Sequence, residues 1–352
     1  MNYVNHTNAV DPSPADPPSR ALATLLATAR RTPGLDGLEG RIADLAALLA
    51  GQLRELERRL SDHVPADGRD LTDAARHLLL GPGKRLRPVL ALVAGSLAGM
   101  RPAALLDAAL AAELIHGATL LHDDVIDEGE LRRGVPAARV VWGNSVSVLA
   151  GDLVLVRALQ LVATYRHPGL LAEALRVLAR MVDAEAVQLA ARGRADGAIE
   201  RYWAVVEGKT AALFEWAARA GALLAGDGAL ADRLGRFAAK CGLAFQVMDD
   251  LRDLAGGGDK TVLADVREGK VTLPVAIAIQ RAPALAAWIA GAADRGADGA
   301  AAIAEQVHAT GAAAEARRIA EALVADATEA LCGLESSGAG ATLVALARGI
   351  VQ

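Results

Sequence analysis

The chain has 352 residues, enough to bury a sizeable core, though length alone does not separate one large domain from two small ones. Apolar residues make up 53% of it and aromatic residues only 3%, so the apolar mass is Ala, Leu and Val, and the composition leans towards closely packed helices. With 37 basic and 42 acidic residues the net charge is −5, which argues against a general nucleic-acid binder, because such a protein shows a basic stripe.

Residues 1–35 read differently from the rest. The stretch DPSPADPPS at 11–19 cannot hold a helix, since proline lacks the N–H and clashes with the preceding turn, and it predicts a disordered tail. No basic segment followed by an apolar core stands at the start, so no secretory signal is expected. From about Leu38 the helical period takes over, with Ile42, Leu45, Leu48, Leu49 and Leu53 on one stripe. Gly81-Pro82-Gly83 is a break. Apolar stretches follow at 89–99, 103–121, 145–164, 170–190, 203–225, 229–253, 272–292 and 299–333. No uninterrupted apolar run reaches the ~18 residues of a membrane span, so no transmembrane segment is expected. Alternating strand patterns are nearly absent, and the β-branched pair Val140-Val141 is too short to matter. The expectation is an all-α fold in one domain spanning 36–352. Cys241 and Cys332 match no disulfide or zinc spacing and fit a reducing, cytoplasmic compartment.

Two acidic clusters share one spacing. Asp123, Asp124 and Asp127 end one long apolar stretch, and Asp249, Asp250 and Asp253 end another. Residues i and i+4 lie on one helix face, where like charges repel unless a cation joins them. Gln246, Asp249, Asp250 and Asp253 follow i, i+3, i+4, i+7 and predict one face. A single cluster of this kind is usually a solvated helix end; two with the same spacing point to oxygen ligation of a hard cation. Mg2+ reaches substrate phosphates through one or two carboxylates, so the clusters could hold a diphosphate between them.

Basic residues accompany the acids. Lys84, Arg85 and Arg87 follow the Gly-Pro break and make an anion site, with Arg forking onto phosphate and Lys adding a point charge. Arg132-Arg133-Gly134 comes five residues after Asp127, where it can meet the same phosphate. Lys209-Thr210 and Lys270 are weaker signals, and each lysine could be an ordinary surface residue. His116 stands seven residues before Asp123 on the same helix face, although a lone helical histidine is more often a packed core residue. No catalytic triad, zinc spacing, dinucleotide fingerprint or Walker loop is evident. Metals and cations without a nucleophile fit chemistry in which diphosphate departs and leaves a carbocation.

In this order, residues 83–88, 116–127, 132–134, 209–210, 245–253 and 265–274 resemble the trans-isoprenyl diphosphate synthases, the polyprenyl synthetase family. The resemblance covers nearly everything from about residue 40 onward and implies an isoprenoid-synthase helical bundle with a central cavity. It implies that Asp123, Asp124, Asp127, Asp249, Asp250 and Asp253 bind Mg2+ around an allylic diphosphate. Arg132, Lys209 and Lys270 are then expected to neutralise that diphosphate. Lys84, Arg87, His116 and Arg133 are expected to hold isopentenyl diphosphate, and Thr210, Phe245 and Gln246 to sit beside the reacting carbons. A homodimer is implied as well. In such enzymes bulky residues four or five places before the first cluster block the growing chain; Thr119 and Ala118 are small, which implies a product longer than C20. A deeper residue such as Ile115 is the other candidate for the floor. Two features depart from the family pattern. The loop 254–264 is short, with Lys260 preceded by Asp259 where the family has glycine, and Pro136-Ala137-Ala138 replaces Pro-Thr-Ala. Other readings are a farnesyl or geranylgeranyl diphosphate synthase, a terpene cyclase, and a non-catalytic subunit of a two-component synthase.

Overall fold

Helices follow the apolar stretches in chain order. The computed structural model describes residues 39–196, 198–256, 264–290 and 296–352. The proline-rich segment 1–35, together with Asp259 and Lys260, lies outside the described residues. The first half comprises α1 (Glu39–His63), α2 (Asp70–Leu79), α3 (Leu86–Leu97), α4 (Leu106–Ile126), α5 (Ala138–Trp142), α6 (Asn144–Thr164) and α7 (Pro168–Ala190). The second comprises α8 (Ala198–Val206), α9 (Ala212–Leu224), α10 (Gly228–Ala255), α11 (Ala264–Arg267), α12 (Leu273–Arg281), α13 (Leu285–Ala290), α14 (Gly296–Ala309), α15 (Ala312–Glu329) and α16 (Gly338–Ile350). The fold is all-α, as expected; the strands among the described residues are Leu131–Arg132 and Val135–Pro136, one short hairpin.

The structure divides two stretches that periodicity reads as continuous. Stretch 272–292 breaks at Ala282-Pro283, and stretch 299–333 breaks at Gly311, whose φ is +72°. Val140 and Val141 fall inside α5, where both side chains are exposed, so their strand preference does not decide the local structure.

One cluster of buried side chains runs from Leu49 in α1 to Ala347 in α16. Its axis is α4, in which Leu106, Leu110, Leu114, Ile115, Ala118 and Leu121 are all buried. Helix α6 packs along α4, while α9 is gripped by α3 and α10. Helix α10 starts on an Asp227 cap, whose carboxylate accepts from the Leu230 N–H at 2.9 Å. The helices that end in acidic clusters, α4 and α10, are thereby fixed by the core.

Among the described residues, two segments are long and apolar enough to cross a membrane by length and composition: 102–126, which includes α4, and α6. The first is 72% buried within the fold and is its central helix. Only 33% of α6 is buried. Val148, Leu149 and Val156 on α6, with Val140 and Val141 on α5 and Leu175 and Val182 on α7, leave an exposed apolar face.

Candidate active site

A cavity of about 650 Å³ opens where α4, α7, α8 and α10 end. It is lined by Asp123 and Asp127 from the first cluster, Gln246 and Asp250 from the second, and by Arg132, Lys209, Thr210 and Lys270. The equal spacing of the two clusters therefore reflects two helix ends facing one space.

Each carboxylate of the first cluster already has a cation. Lys209 Nζ lies 3.2 Å from Asp123, also meets Glu185, and donates to Gln188 at 3.1 Å. Lys270 Nζ donates to Asp127 at 2.6 Å and to Glu268 at 2.8 Å. Arg132 Nε donates to Asp124 at 2.8 Å. Asp124 is thus turned from the cavity and is completely buried, with Oδ2 lacking a partner. Burial raises the Asp123 carboxyl above its ordinary range, and the neighbouring Glu185 and Asp127 charges act in the same direction against Lys209.

The second cluster is split. Asp250 faces the cavity, accepts from Gln246 Nε2 at 3.0 Å and from the Leu273 N–H at 3.3 Å, and is pushed up to about 7 by burial and by Asp265. Asp249 is half-exposed and accepts from Arg252 at 2.6 Å. Asp253 is buried one turn further on and accepts from the Asp265 N–H at 3.4 Å. The single face expected for Gln246, Asp249, Asp250 and Asp253 is therefore divided. At roughly 100° per residue, Asp249 and Asp250 diverge, and Asp253 lies beyond the cavity's end.

Lys209 and Thr210 enter the cavity from a π-helical segment, Glu207–Ala211, between α8 and α9. Such wide turns occur mostly at functional sites, and here two consecutive residues both line the space. Thr210 Oγ1 donates to Gln246 Oε1 at 3.1 Å, joining the π segment to α10.

The remaining cations gather beside the cavity. Arg87 lies 4.7 Å from the Phe214 ring and Lys84 lies 5.8 Å from the Phe245 ring, with the two rings 5.9 Å apart. Phe245 precedes Gln246 in α10, yet neither ring of this pair lines the cavity. Arg87 is held down to about 10 by burial, with Glu113 and Asp249 countering and Arg133 adding repulsion. His116 is driven well below its ordinary value by burial, then by the charges of Arg87, Arg133, Arg132 and Arg85, so its ring is neutral near pH 7. Arg133 sits at φ +55° with Gly134 at +82°, in the two-residue turn of the hairpin. Both residues at positive φ match the twist of paired strands, and the turn aims Arg133 at the carbonyl of Pro82. A Cβ on Gly83 would stand 3.0 Å from the Arg133 guanidinium and 2.9 Å from that of Arg85, so glycine admits both.

Four residues have partners or positions that the sequence reading does not give, Arg85 among them, which it places in the anion site. Arg85 is almost fully buried and binds Glu113 at 2.8 Å and Glu57 at 2.7 Å, a structural role inside the basic motif. Asp265 lines the cavity, and the Tyr202 hydroxyl is buried beside Asp250. Arg192 pairs with Asp127. Spacing gives no sign of these four, because their partners are distant in sequence. Ala118 is buried and Thr119 Oγ1 donates to the His116 carbonyl at 2.8 Å; neither lines the cavity.

The sequence model described as polyprenyl synthetase matches residues 69–308. The chain belongs to the polyprenyl synthetase family. It is an enzyme, a prenyltransferase of the polyprenyl diphosphate synthase kind. It is 34% identical over 243 residues to an all-trans-nonaprenyl-diphosphate synthase (geranyl-diphosphate specific) of Rhodobacter capsulatus, covering 67% of this chain and 74% of that one. A short chain isoprenyl diphosphate synthase of Methanothermobacter thermautotrophicus is 35% identical over 238 residues, covering 64% of this chain and 71% of the relative. Among solved structures, the polyprenyl synthase of Caulobacter crescentus CB15 complexed with calcium and isoprenyl diphosphate superposes with TM-score 0.83 at 33% identity, covering 88% of this chain and 97% of that one.

Proposed function

We propose that this synthase condenses isopentenyl diphosphate with an allylic diphosphate in a Mg2+-dependent reaction that yields a trans-polyprenyl diphosphate longer than C20. The observation that carries the reading is the single cavity lined by Asp123, Asp127, Asp250, Lys209, Lys270 and Arg132. Among the described residues, no three His, Cys, Asp or Glu side chains stand close enough to form a ready-made metal group. The donors nonetheless fit Mg2+: the aspartates lining the cavity, Asp123, Asp127 and Asp250, offer only carboxylate oxygens. Asp123 and Asp127 on one side and Asp250 on the other would hold Mg2+, with Asp124, Asp249 and Asp253 supporting them. Bound there, Mg2+ would neutralise diphosphate oxygens and favour departure of the leaving group.

The chain's own residues supply the rest. Arg132, Lys209 and Lys270 hold the allylic diphosphate while its C1–O bond breaks. Lys84, Arg87, His116 and Arg133 grip isopentenyl diphosphate, whose double bond attacks C1 through C4. The new carbon–carbon bond leaves a cation at C3, and a proton passes from C2 to the departed diphosphate. Thr210, Phe245 and Gln246 wall off the reacting carbons from water.

The small residues Ala118 and Thr119 and the nonaprenyl relative support a long product. A farnesyl or geranylgeranyl product is the second reading, favoured by the short-chain relative and by the absence of Ala118 and Thr119 from the cavity wall. A homodimer is supported by the apolar face of α5, α6 and α7, where Leu149, Val156 and Val182 are 52%, 52% and 68% exposed. Sedimentation of the wild type and of Val156→Glu tests it: a dimer that becomes a monomer agrees, and a wild-type monomer overturns it. The free cysteines Cys241 and Cys332 support a reducing, cytoplasmic setting.

The decisive experiment is product analysis by mass spectrometry after incubation with farnesyl diphosphate, isopentenyl diphosphate and Mg2+, with an EDTA control. A Mg2+-dependent ladder extending past C20 agrees with the proposal. No elongation from farnesyl, geranyl or dimethylallyl primers overturns it as a self-sufficient activity.

A further inference from the structure

Asp127 is shared by two cations that arrive from different parts of the chain. Lys270 comes from the turn before α12 and donates to Asp127 Oδ2 at 2.6 Å. Arg192 comes from the turn just after α7 and donates to Asp127 Oδ1. The two turns are clasped by the Gly193 N–H, which donates to the Gly269 carbonyl at 2.9 Å. Arg192 is therefore held at the cavity edge beside Lys270 by backbone, and its chain neighbours Ala191 and Arg194 line the cavity.

The two cations differ in what else they hold. Lys270 keeps Glu268 as a second carboxylate, at 2.8 Å. Among the described residues, apart from Asp127, Arg192 donates only to the Ile126 carbonyl, at 3.3 and 3.2 Å, and its buried Nε has no partner. If a divalent cation takes Asp127, Lys270 remains paired, while Arg192 is left partly buried without a counter-charge. A guanidinium in that position needs an anion, and the one that arrives with the metal is a diphosphate. Guanidinium forks onto phosphate oxygens with two hydrogen bonds, and the spare Nε adds a donor.

We propose that Arg192 is a further diphosphate-binding residue, parked on Asp127 in the free protein and transferred to the allylic diphosphate when the metal occupies that carboxylate. This rests on the reading of the cavity as a metal–diphosphate site.

The test uses the full chain, with inorganic pyrophosphate titrated calorimetrically at saturating Mg2+, for wild type, Arg192→Gln and Arg192→Lys. Arg192→Gln is expected to weaken pyrophosphate about tenfold or more, the size of one charge-assisted hydrogen bond, with Arg192→Lys in between. In steady-state assays Arg192→Gln should raise the allylic KM and leave the isopentenyl KM alone. A merely structural role would instead lower thermal stability equally in both variants with pyrophosphate affinity unchanged; that result overturns the inference. If wild type itself fails to bind pyrophosphate with Mg2+, the reading of the cavity falls, and Arg192 falls with it. Should Arg192→Gln not fold, Arg192→Lys alone decides, since wild-type affinity in it would exclude forked phosphate binding.

Discussion

The two halves of the site handle charge in opposite ways. On the cavity side each carboxylate of the first cluster has a cation in hand: Asp123 has Lys209, Asp124 has Arg132, and Asp127 has Lys270 with Arg192. On the other side, Arg87, Arg133 and Lys84 gather around a neutral His116 and two phenyl rings, and the buried carboxylate of Glu113 is bonded to Arg85. The first half is self-neutralised. The second is short of negative charge. In the proposed reaction the first half must release its diphosphate and the second must keep its own, and the contrast suits that division.

The largest expected effect tests how the second half stays short of negative charge. Arg85→Leu leaves Glu113 and Glu57 without their cation, and breaking a buried ion pair from one side costs about 3–5 kcal/mol. Urea unfolding should show that loss, and Arg85→Lys should not restore it, because one ammonium cannot bind Glu57, Glu113 and the Leu79 carbonyl in a fork. Next comes the first half. Asp123→Ala should lower kcat on the order of 10²–10³-fold, the usual effect of removing one electrostatic stabiliser, with the melting temperature kept. Wild-type turnover in that variant would remove Asp123 from metal binding.

Arg87→Gln then separates the halves. It should raise the isopentenyl diphosphate KM by about 10- to 100-fold, the worth of a hydrogen bond to a charged group, with the allylic KM unchanged. A rise in both constants would mean that the two halves are one site. Ala118→Tyr should shorten the product ladder by isoprene units; an unchanged ladder would move the floor to a deeper residue. The smallest effect is in pH. His116 titrates well below its unfolded value near 6.5, so below that pH the unfolded chain binds the extra proton and stability falls. His116→Gln should flatten the fall between pH 7 and pH 5 in urea titrations, and an equal slope would refute the neutral ring.

Much was legible in advance because it rests on local repetition. Apolar periodicity gave α4, α6, α7 and α10 within a few residues, since one buried face per helix leaves a 3.6-residue trace. Placing Asp123 and Asp127 on one face needed only the i, i+4 rule. Helix α2 was not separately recognised, and 272–292 hid a break, because a short helix or a Pro-marked bend changes little in an Ala-rich pattern. The π segment at Lys209-Thr210 leaves no periodic trace either, as one wide turn shifts the register only locally.

The sequence by itself determined the helical class, the two acidic helix ends and the basic residues that accompany them, because these follow from residue type and spacing along one chain. Tertiary structure alone decided which carboxylates face the cavity and which are turned away: Asp250 inward, Asp249 towards Arg252, Asp124 into Arg132. It also decided that Arg85 supports the fold while Arg87, among the described residues, pairs with no carboxylate and instead lies over the Phe214 ring, and that Arg192 meets Asp127 across 65 residues. The physical reason is range. Helix formation is set by neighbours within a turn or two, whereas the partner of a charge is chosen by packing between elements far apart in the chain, and a low-dielectric interior makes that choice energetically large.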